Sequence, residues 1–371
     1  MERLDHGRIR LLAADPSSPP LLDFSSNDYL GLSLDQRLIA AGRDALARYG
    51  CGSGGARLMS GDLAIHHRLE EEIAALKNKE AALLFGSGYL ANAGIIPALA
   101  GRHDVIFTDR LNHASIYDGC RLSGAEVVRF AHNDLTQLAD LLARKRGANQ
   151  ALIVVESIYS MDGDRCPLRD LVALKERYGC LLLVDEAHAT GIYGRNGGGV
   201  IEEEGISEQV DLAMGTFGKA LGSYGAYVAA SGKMIDYLLN RARSFIFSTA
   251  LPPATVAASL AAIGIVRTQP EIRGELLEKV RFFKERLALG GFKELGPSQI
   301  VPLIIGEAGK ALAAAEDLKR EGLFVTAVRP PTVPEGSARL RLSITRHHSQ
   351  EDLAMAADAI KGALKSPLLH G

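Results

Sequence analysis

Strand-like and helix-like segments alternate through residues 81–216, and no other feature narrows the possible folds as much. Short apolar runs at Ala81–Phe85, Val105–Thr108, Glu126–Phe130, Leu152–Glu156, Leu181–Asp185 and Leu212–Thr216 are interleaved with helically spaced segments at Leu90–Leu99, Ser115–Ser123, Leu135–Arg144 and Leu168–Tyr178. A strand that is apolar throughout needs cover on both faces. The pattern therefore predicts an α/β architecture, a large, mostly parallel sheet with helices on both faces. In such sheets ligands gather outside the carboxyl ends of the strands. Polar residues stand at those ends here: Asp109 and His113, Glu156 and Ser160, Asp185 and His188, Thr216 and Lys219.

Lys219 lies in AMGTFGKAL (213–221), among small and apolar neighbours. Loss of hydration there disfavours the ammonium form and leaves an amine able to hold a carbonyl as a Schiff base. Taken alone, the same residue reads as a surface lysine on a turn. In LLLVDEAHATG four apolar residues require a buried strand that ends at Asp185, whose carboxylate can pair with a protonated ring nitrogen. His188, on the same turn, can donate to a phenolate oxygen. A helix cap with a surface histidine is the plainer account of DEAH, while a helicase assignment fails because no GxxxxGK[ST] loop accompanies it. His113, in LNHAS, can lie over an aromatic ring or serve as a cap or core histidine. Gly86-Ser87-Gly88-Tyr89 joins a strand to a helix and offers backbone N–H groups and a positive dipole end to a phosphate, although packing alone produces such junctions too. Schiff-base lysine, ring-nitrogen aspartate, stacking histidine and phosphate turn together meet the needs of pyridoxal 5'-phosphate.

The flanking segments read differently. SSNDYLGLS (25–33) is a loop, residues 36–49 and His66–Leu76 are amphipathic helices, and GCGSGGARLMSGD between them is an irregular segment that approaches something closely. From residue 252 an alanine-rich helix, a charged helix at Glu271–Leu289, a strand at Arg339–Ile344 and a last helix at Glu351–Leu364 predict a smaller α+β C-terminal domain. The expected division is an N-terminal segment 1–35, a large cofactor-binding domain 36–251 and a small domain 252–371. A net charge of −2 gives no electrostatic reason to expect nucleic acid or an anionic membrane. Apolar runs such as Ala254–Val266 stop short of a bilayer span, and the opening residues, which include Glu2, Asp5 and Asp15, lack a secretory core, so a cytoplasmic protein is expected. Cys51, Cys120, Cys166 and Cys180 have no ligand spacing, and the pairs His66/His67 and His347/His348 diverge on regular structure; neither a disulfide framework nor a metal site is expected.

The motifs GSGGARLMSG, AHNDL, SMDGD, DEAHATG, TFGKALGSYGA and RPPTVPEGSARLRLS give the chain a resemblance, from SNDYLGLS to its C-terminus, to the α-oxoamine synthases. These are pyridoxal-phosphate acyltransferases of the aspartate-aminotransferase-like fold type I. The resemblance implies that Lys219 bonds the cofactor, His113 stacks on its ring, Asp185 binds the pyridine nitrogen, and His188 and Ser160 lie near the phenolic oxygen. It implies that Ser87, Gly88, Tyr89 and Thr216 hold the phosphate, with Thr249 reaching in from the other subunit of a homodimer. Arg341 matches the arginine that grips an amino-acid carboxylate, and Asn27 a substrate-site asparagine. The PPTVP–SARLRL stretch and GSYGA point to the biotin-pathway branch. There L-alanine condenses with a pimeloyl thioester, on coenzyme A or an acyl carrier protein, to give an amino-ketone, carbon dioxide and the free thiol. A glycine C-acetyltransferase is the alternative within the family, and a non-catalytic cofactor-binding protein the alternative outside it. Arg3, Arg8 and Arg10 are candidates for the basic residue that meets the acyl substrate.

Overall fold

Among the described residues seven strands form the main sheet, in the spatial order Ala81–Phe85, Ala226–Ala230, Leu212–Thr216, Leu181–Asp185, Ala151–Glu156, Val105–Asp109 and Glu126–Phe130. The computed structural model describes residues 1–4, 7–12, 19–145, 147, 149–293 and 295–364. Six strands share one direction, and Ala226–Ala230 opposes both its neighbours. The inner strands Val105–Asp109, Ala151–Glu156 and Ala226–Ala230 are buried at every position, their apolar runs covered on both faces and the polar Thr108, Asp109 and Glu156 confined to the carboxyl ends. Register sets Glu156 beside Asp185 at the carboxyl end of the sheet. Leu83, Ile95, Ile106, Ile116, Val154, Leu183 and Val228 belong to one core beneath the helices.

The helix after Ala81–Phe85 begins two residues earlier than its apolar spacing predicts. It spans Gly88–Leu99, and Ser87 caps it by accepting from Leu90 N at 3.2 Å. Its neighbour Ala114–Ser123 approaches backbone to backbone, because a Cβ on Gly119 would stand 2.6 Å from Asn92 O. The antiparallel strand Ala226–Ala230 carries no sequence expectation: AYVAA is short, rich in alanine and follows a glycine-rich turn.

The chain divides into two compact units, one of Leu32–Tyr159 with Arg165–Pro270, the other of Met1–Gly31, Ser160–Asp164 and Glu271–Gly371. These bounds differ from the expected 1–35, 36–251 and 252–371. The alanine-rich helix Pro253–Thr268 packs on the helices Gln36–Tyr49 and Ala64–Lys77 and so belongs to the larger unit. The composition shift at 252 marks where that helix starts, not a change of packing partner. The opening residues join the smaller unit because Leu21–Asp23 pairs with Leu323–Phe324. In that unit Ala338–Ser343 lies between antiparallel Ile300–Gly306 and Thr326–Val328. Among the described residues no helix is long and apolar enough to cross a membrane, and no cluster of His, Cys, Asp and Glu has the form of a metal site. Cys51 is exposed, and Cys120, Cys166 and Cys180 are buried thiols.

Candidate active site

The strand ends of the larger unit surround a cavity of about 190 Å³, lined by Lys219, Asp185, His188, His113, Glu156 and Thr216, with Gly88, Tyr89 and Ser115. The lysine is presented by a tight turn. Phe217 and Leu221 are fully buried, Gly222 N donates to Lys219 O at 2.9 Å, and Phe217 N donates to Gly225 O at 2.9 Å. Buried anchors on both sides fix the base of a half-buried side chain whose Nζ lies 2.7 Å from His188 Nε2. The amine is thus held over the strand ends and is not on an open surface turn.

Asp185 is buried, and its two oxygens have separate donors: Ala187 N on Oδ1 at 2.9 Å and Asn92 Nδ2 on Oδ2 at 3.0 Å. His113 is the N-cap of Ala114–Ser123, with Nδ1 accepting from Ser115 N at 3.2 Å, and the same ring lines the cavity. The cap and the cavity position are therefore one arrangement. The ring faces the cavity, but the protein packed around it strips hydration, which holds the imidazole below the usual histidine range despite Asp185.

Glu156, singled out by the sequence only as a polar strand-end residue, also lines the cavity. It is 2% exposed and accepts from His113 N at 2.5 Å. Burial pushes its carboxyl up to about 8, and the charge of Asp185 adds to the rise while Lys219 opposes it. A carboxyl ending a wholly apolar strand, in register with Asp185, was its sequence signal. Asn92 and Ser115 gave no such signal.

Gly88 and Tyr89 occupy the first helical turn, where N–H groups lack intrahelical acceptors. Ser87 is engaged as the cap and does not line the cavity. The Tyr89 hydroxyl donates to Asp118 Oδ2 at 2.7 Å. Thr216 lines the cavity and uses its hydroxyl within the lysine turn, accepting from Gly218 N at 3.1 Å and donating to Gly225 O at 2.8 Å. Thr249 stands elsewhere, on a segment held by the glycine-rich loop: it bridges to Ala56, and Ala250 N donates to Gly55 O at 3.0 Å.

Arg341, Asn27 and Ser160 form a cluster in the smaller unit. Arg341 is buried, and its guanidinium donates to Ser160 O at 2.6 Å, Ser343 Oγ at 2.9 Å and Asn27 Oδ1 at 3.2 Å. All three acceptors are neutral, and among the described residues no carboxylate forms an ion pair with it. Arg339, two residues earlier on the same face, does have one, Asp162 at 2.6 Å. A buried guanidinium with neutral partners suits an external anion. Arg8 pairs with Asp352 at 3.0 Å and Arg10 with Glu2 at 3.1 Å, while Arg3 lies on the short strand Glu2–Arg3.

The amine, the doubly bonded carboxylate, the two imidazoles and the helix N-terminus around one cavity fit a phosphorylated pyridine aldehyde. Comparison with known proteins agrees. The model of the aminotransferase class I and II family matches residues 19–360. The 8-amino-7-oxononanoate synthase of Geobacter metallireducens is 49% identical over 360 residues, which cover 95% of this chain and 92% of that protein. A crystal structure of 8-amino-7-oxononanoate synthase from Francisella tularensis superposes with a TM-score of 0.82 at 30% identity, covering 95% of this chain and 99% of that one. A high-resolution structure of SPT with PLP internal aldimine superposes with a TM-score of 0.93 at 33% identity, covering 98% of this chain and 91% of that one.

Proposed function

Since this chain belongs to the class I and II aminotransferase family, and within it to the 8-amino-7-oxononanoate synthases, we propose that it condenses L-alanine with a pimeloyl thioester in biotin synthesis. It is a pyridoxal-phosphate-dependent acyltransferase of fold type I. The observation that carries the substrate-level reading is the convergence of Lys219, Asp185, His113 and His188 on one cavity, in a chain about half identical to enzymes of that name.

When bound, the cofactor supplies an electron sink for the substrate's α-carbon. Lys219 would hold it through Nζ and serve as the base for the α-proton, with His188 Nε2 at 2.7 Å from Nζ as the neighbour able to share that proton. Asp185 would accept from the ring nitrogen through the lone pairs that Ala187 and Asn92 leave over. His113 would cover the ring from the cavity wall. The N–H groups of Gly88 and Tyr89, with Thr216 beside them on the cavity wall, would receive the phosphate; Ser87 would serve it by capping that helix start, and Thr249 of the partner subunit would complete the pocket in a homodimer. Arg341 clamps the alanine carboxylate, steadied by the carbonyl of Ser160 and by Asn27. The acyl donor is a thioester of coenzyme A or of an acyl carrier protein.

Two assays test this. Purified protein given alanine plus pimeloyl-CoA should release carbon dioxide and free thiol, and glycine plus acetyl-CoA should not; activity with the second pair alone would make it a glycine acyltransferase. Lys219→Ala should lose both turnover and the visible absorption of the bound cofactor, and retention of both would remove Lys219 from its assigned place.

A further inference from the structure

Asn92 lies within the otherwise apolar helix Gly88–Leu99 and is fully buried. Its amide nitrogen donates to Asp185 Oδ2 at 3.0 Å and to Ser115 Oγ at 3.0 Å. Ser115 Oγ lies 2.8 Å from His113 Nδ1. A continuous hydrogen-bonded path therefore runs from the Asp185 carboxylate to the His113 imidazole through two uncharged side chains. The orientation of the Asn92 amide follows from its partners, since a carboxylate can only accept and so must face the NH₂ group. Among the described residues no donor reaches Asn92 Oδ1, although that atom is buried. A leucine here would suit the apolar helix and bring no unmatched amide oxygen of its own, but it would take this donor from Asp185 Oδ2 and Ser115 Oγ. The asparagine is thus a local cost to packing whose visible return is the geometry of Asp185 and His113. Its placement is set by close packing too: the helix that carries Ser115 meets the Asn92 backbone across Gly119.

We propose that Asn92 and Ser115 are positioning residues that link Asp185 to His113, so that the carboxylate serving the ring nitrogen and the imidazole covering the ring face are aimed as one unit. Asn92 fixes one carboxylate oxygen while Ala187 N fixes the other, and the plane of Asp185 is set before anything binds. Ser115 holds the His113 ring by the same nitrogen that caps its helix. Neither residue touches the reacting atoms. The inference rests on the assignment of Asp185 to the ring nitrogen.

The test compares wild type with Asn92→Leu, Asn92→Asp, Ser115→Ala and Asp185→Asn. Three quantities are read: the dissociation constant for pyridoxal phosphate, the pH midpoint of the visible band of the bound cofactor, and the melting temperature of the cofactor-free protein. Losing a hydrogen bond to a charged group should raise the dissociation constant about tenfold in Asn92→Leu, and should move the spectral midpoint in the same direction as Asp185→Asn. Ser115→Ala should give a smaller shift of the same sign. Asn92→Asp keeps the shape and puts a second carboxyl against Asp185, so it should move the midpoint even if Asn92→Leu does not fold. If Asp185→Asn shifts the midpoint but both folded Asn92 variants match wild type in affinity and midpoint, the link is overturned while the role of Asp185 stands. A change in melting temperature alone would also overturn it, leaving Asn92 a packing residue. If Asp185→Asn itself changes nothing, both ideas fall.

Discussion

Lys77 Nζ lies 2.7 Å from Glu186 Oε2, and both side chains are shut off from solvent, at 2% and 0% exposure. Lys77 ends the helix Ala64–Lys77 and also donates to Thr190 Oγ1 at 3.1 Å and to the carbonyl of Gly198. The other oxygen of Glu186 accepts from Ile201 N at 3.0 Å. Gly199 must be glycine for this to fit: its φ is +114°, and a Cβ would stand 2.5 Å from Glu186 Oε2. Glu186 follows Asp185 and anchors, away from the cavity, the turn whose other members line it.

Lys77→Met should therefore destabilise the protein by about 3–5 kcal/mol, because the carboxylate is left buried without its cation. The double variant Lys77→Met/Glu186→Gln removes both charges and should recover much of that loss. Urea denaturation of the three proteins measures this, and a single variant within about 1 kcal/mol of wild type would show the pair to be dispensable.

Glu156 gives a pH prediction of definite sign. Its folded carboxyl is raised to about 8 by burial and by Asp185, above its ordinary value of 4.5. The stability it contributes is complete below the unfolded value and is lost as pH rises through about 8. Glu156→Gln keeps an acceptor for His113 N and has no proton to lose. Melting curves should lie together at acid pH and separate with rising pH, the variant becoming the more stable, and parallel curves would contradict the assignment.

Much of this was readable from residue order, and the rest fails for identifiable reasons. Strands such as Leu181–Asp185 are legible because burial on both faces leaves an unbroken apolar run that a polar residue ends. Lys219, Asp185, His188 and His113 were legible because each closes such a run or begins the turn beyond it. Ala226–Ala230 was not, since AYVAA, three of its five residues alanine, is short and follows a glycine-rich turn. Lys77 and Glu186 are 109 residues apart, and Asn92 and Asp185 are 93 apart. Nothing local marks either pair. Lys77 falls just beyond the helical spacing of His66–Leu76, and Asn92 stands among the apolar residues of Leu90–Leu99, so neither carries a local sign of its distant partner. The expected boundary at 252 coincides with the start of Pro253–Thr268, because composition reports where a helix begins and not the partner on which it packs.

His348 predicts acid sensitivity of the smaller unit. Burial depresses its imidazole to about 4, and the ring stacks on Phe24 with centroids 4.3 Å apart. Nδ1 accepts from Thr345 N at 3.2 Å, so the proton of the neutral ring sits on Nε2, which donates to Asp23 O at 3.1 Å. A base depressed in the folded state contributes stability above its unfolded value of 6.5, and that stability is lost as pH falls toward 4. The loss over this window is roughly 3 kcal/mol by proton linkage. His348→Gln should be less stable at pH 7 but should show a shallower acid slope in urea denaturation, and an unchanged slope would mean that other groups govern the acid limb.

Arg341 separates binding from chemistry. Its planar guanidinium makes three hydrogen bonds in one fork, to Ser160 O, Ser343 Oγ and Asn27 Oδ1, each to a neutral acceptor. Lysine keeps the charge but not the fork, so it cannot satisfy those acceptors and still present two parallel N–H groups to a carboxylate. If the side chain grips the amino acid, Arg341→Lys should lower kcat/KM for alanine by about 10- to 100-fold, the worth of a lost charge-assisted bond. The effect should fall mainly on the KM for alanine, with the KM for the acyl thioester nearly unchanged. Equal rises in both KM values would instead mean that the substitution loosens the Asn27–Ser160 cluster as a whole, and an unchanged KM for alanine would remove Arg341 from the substrate site.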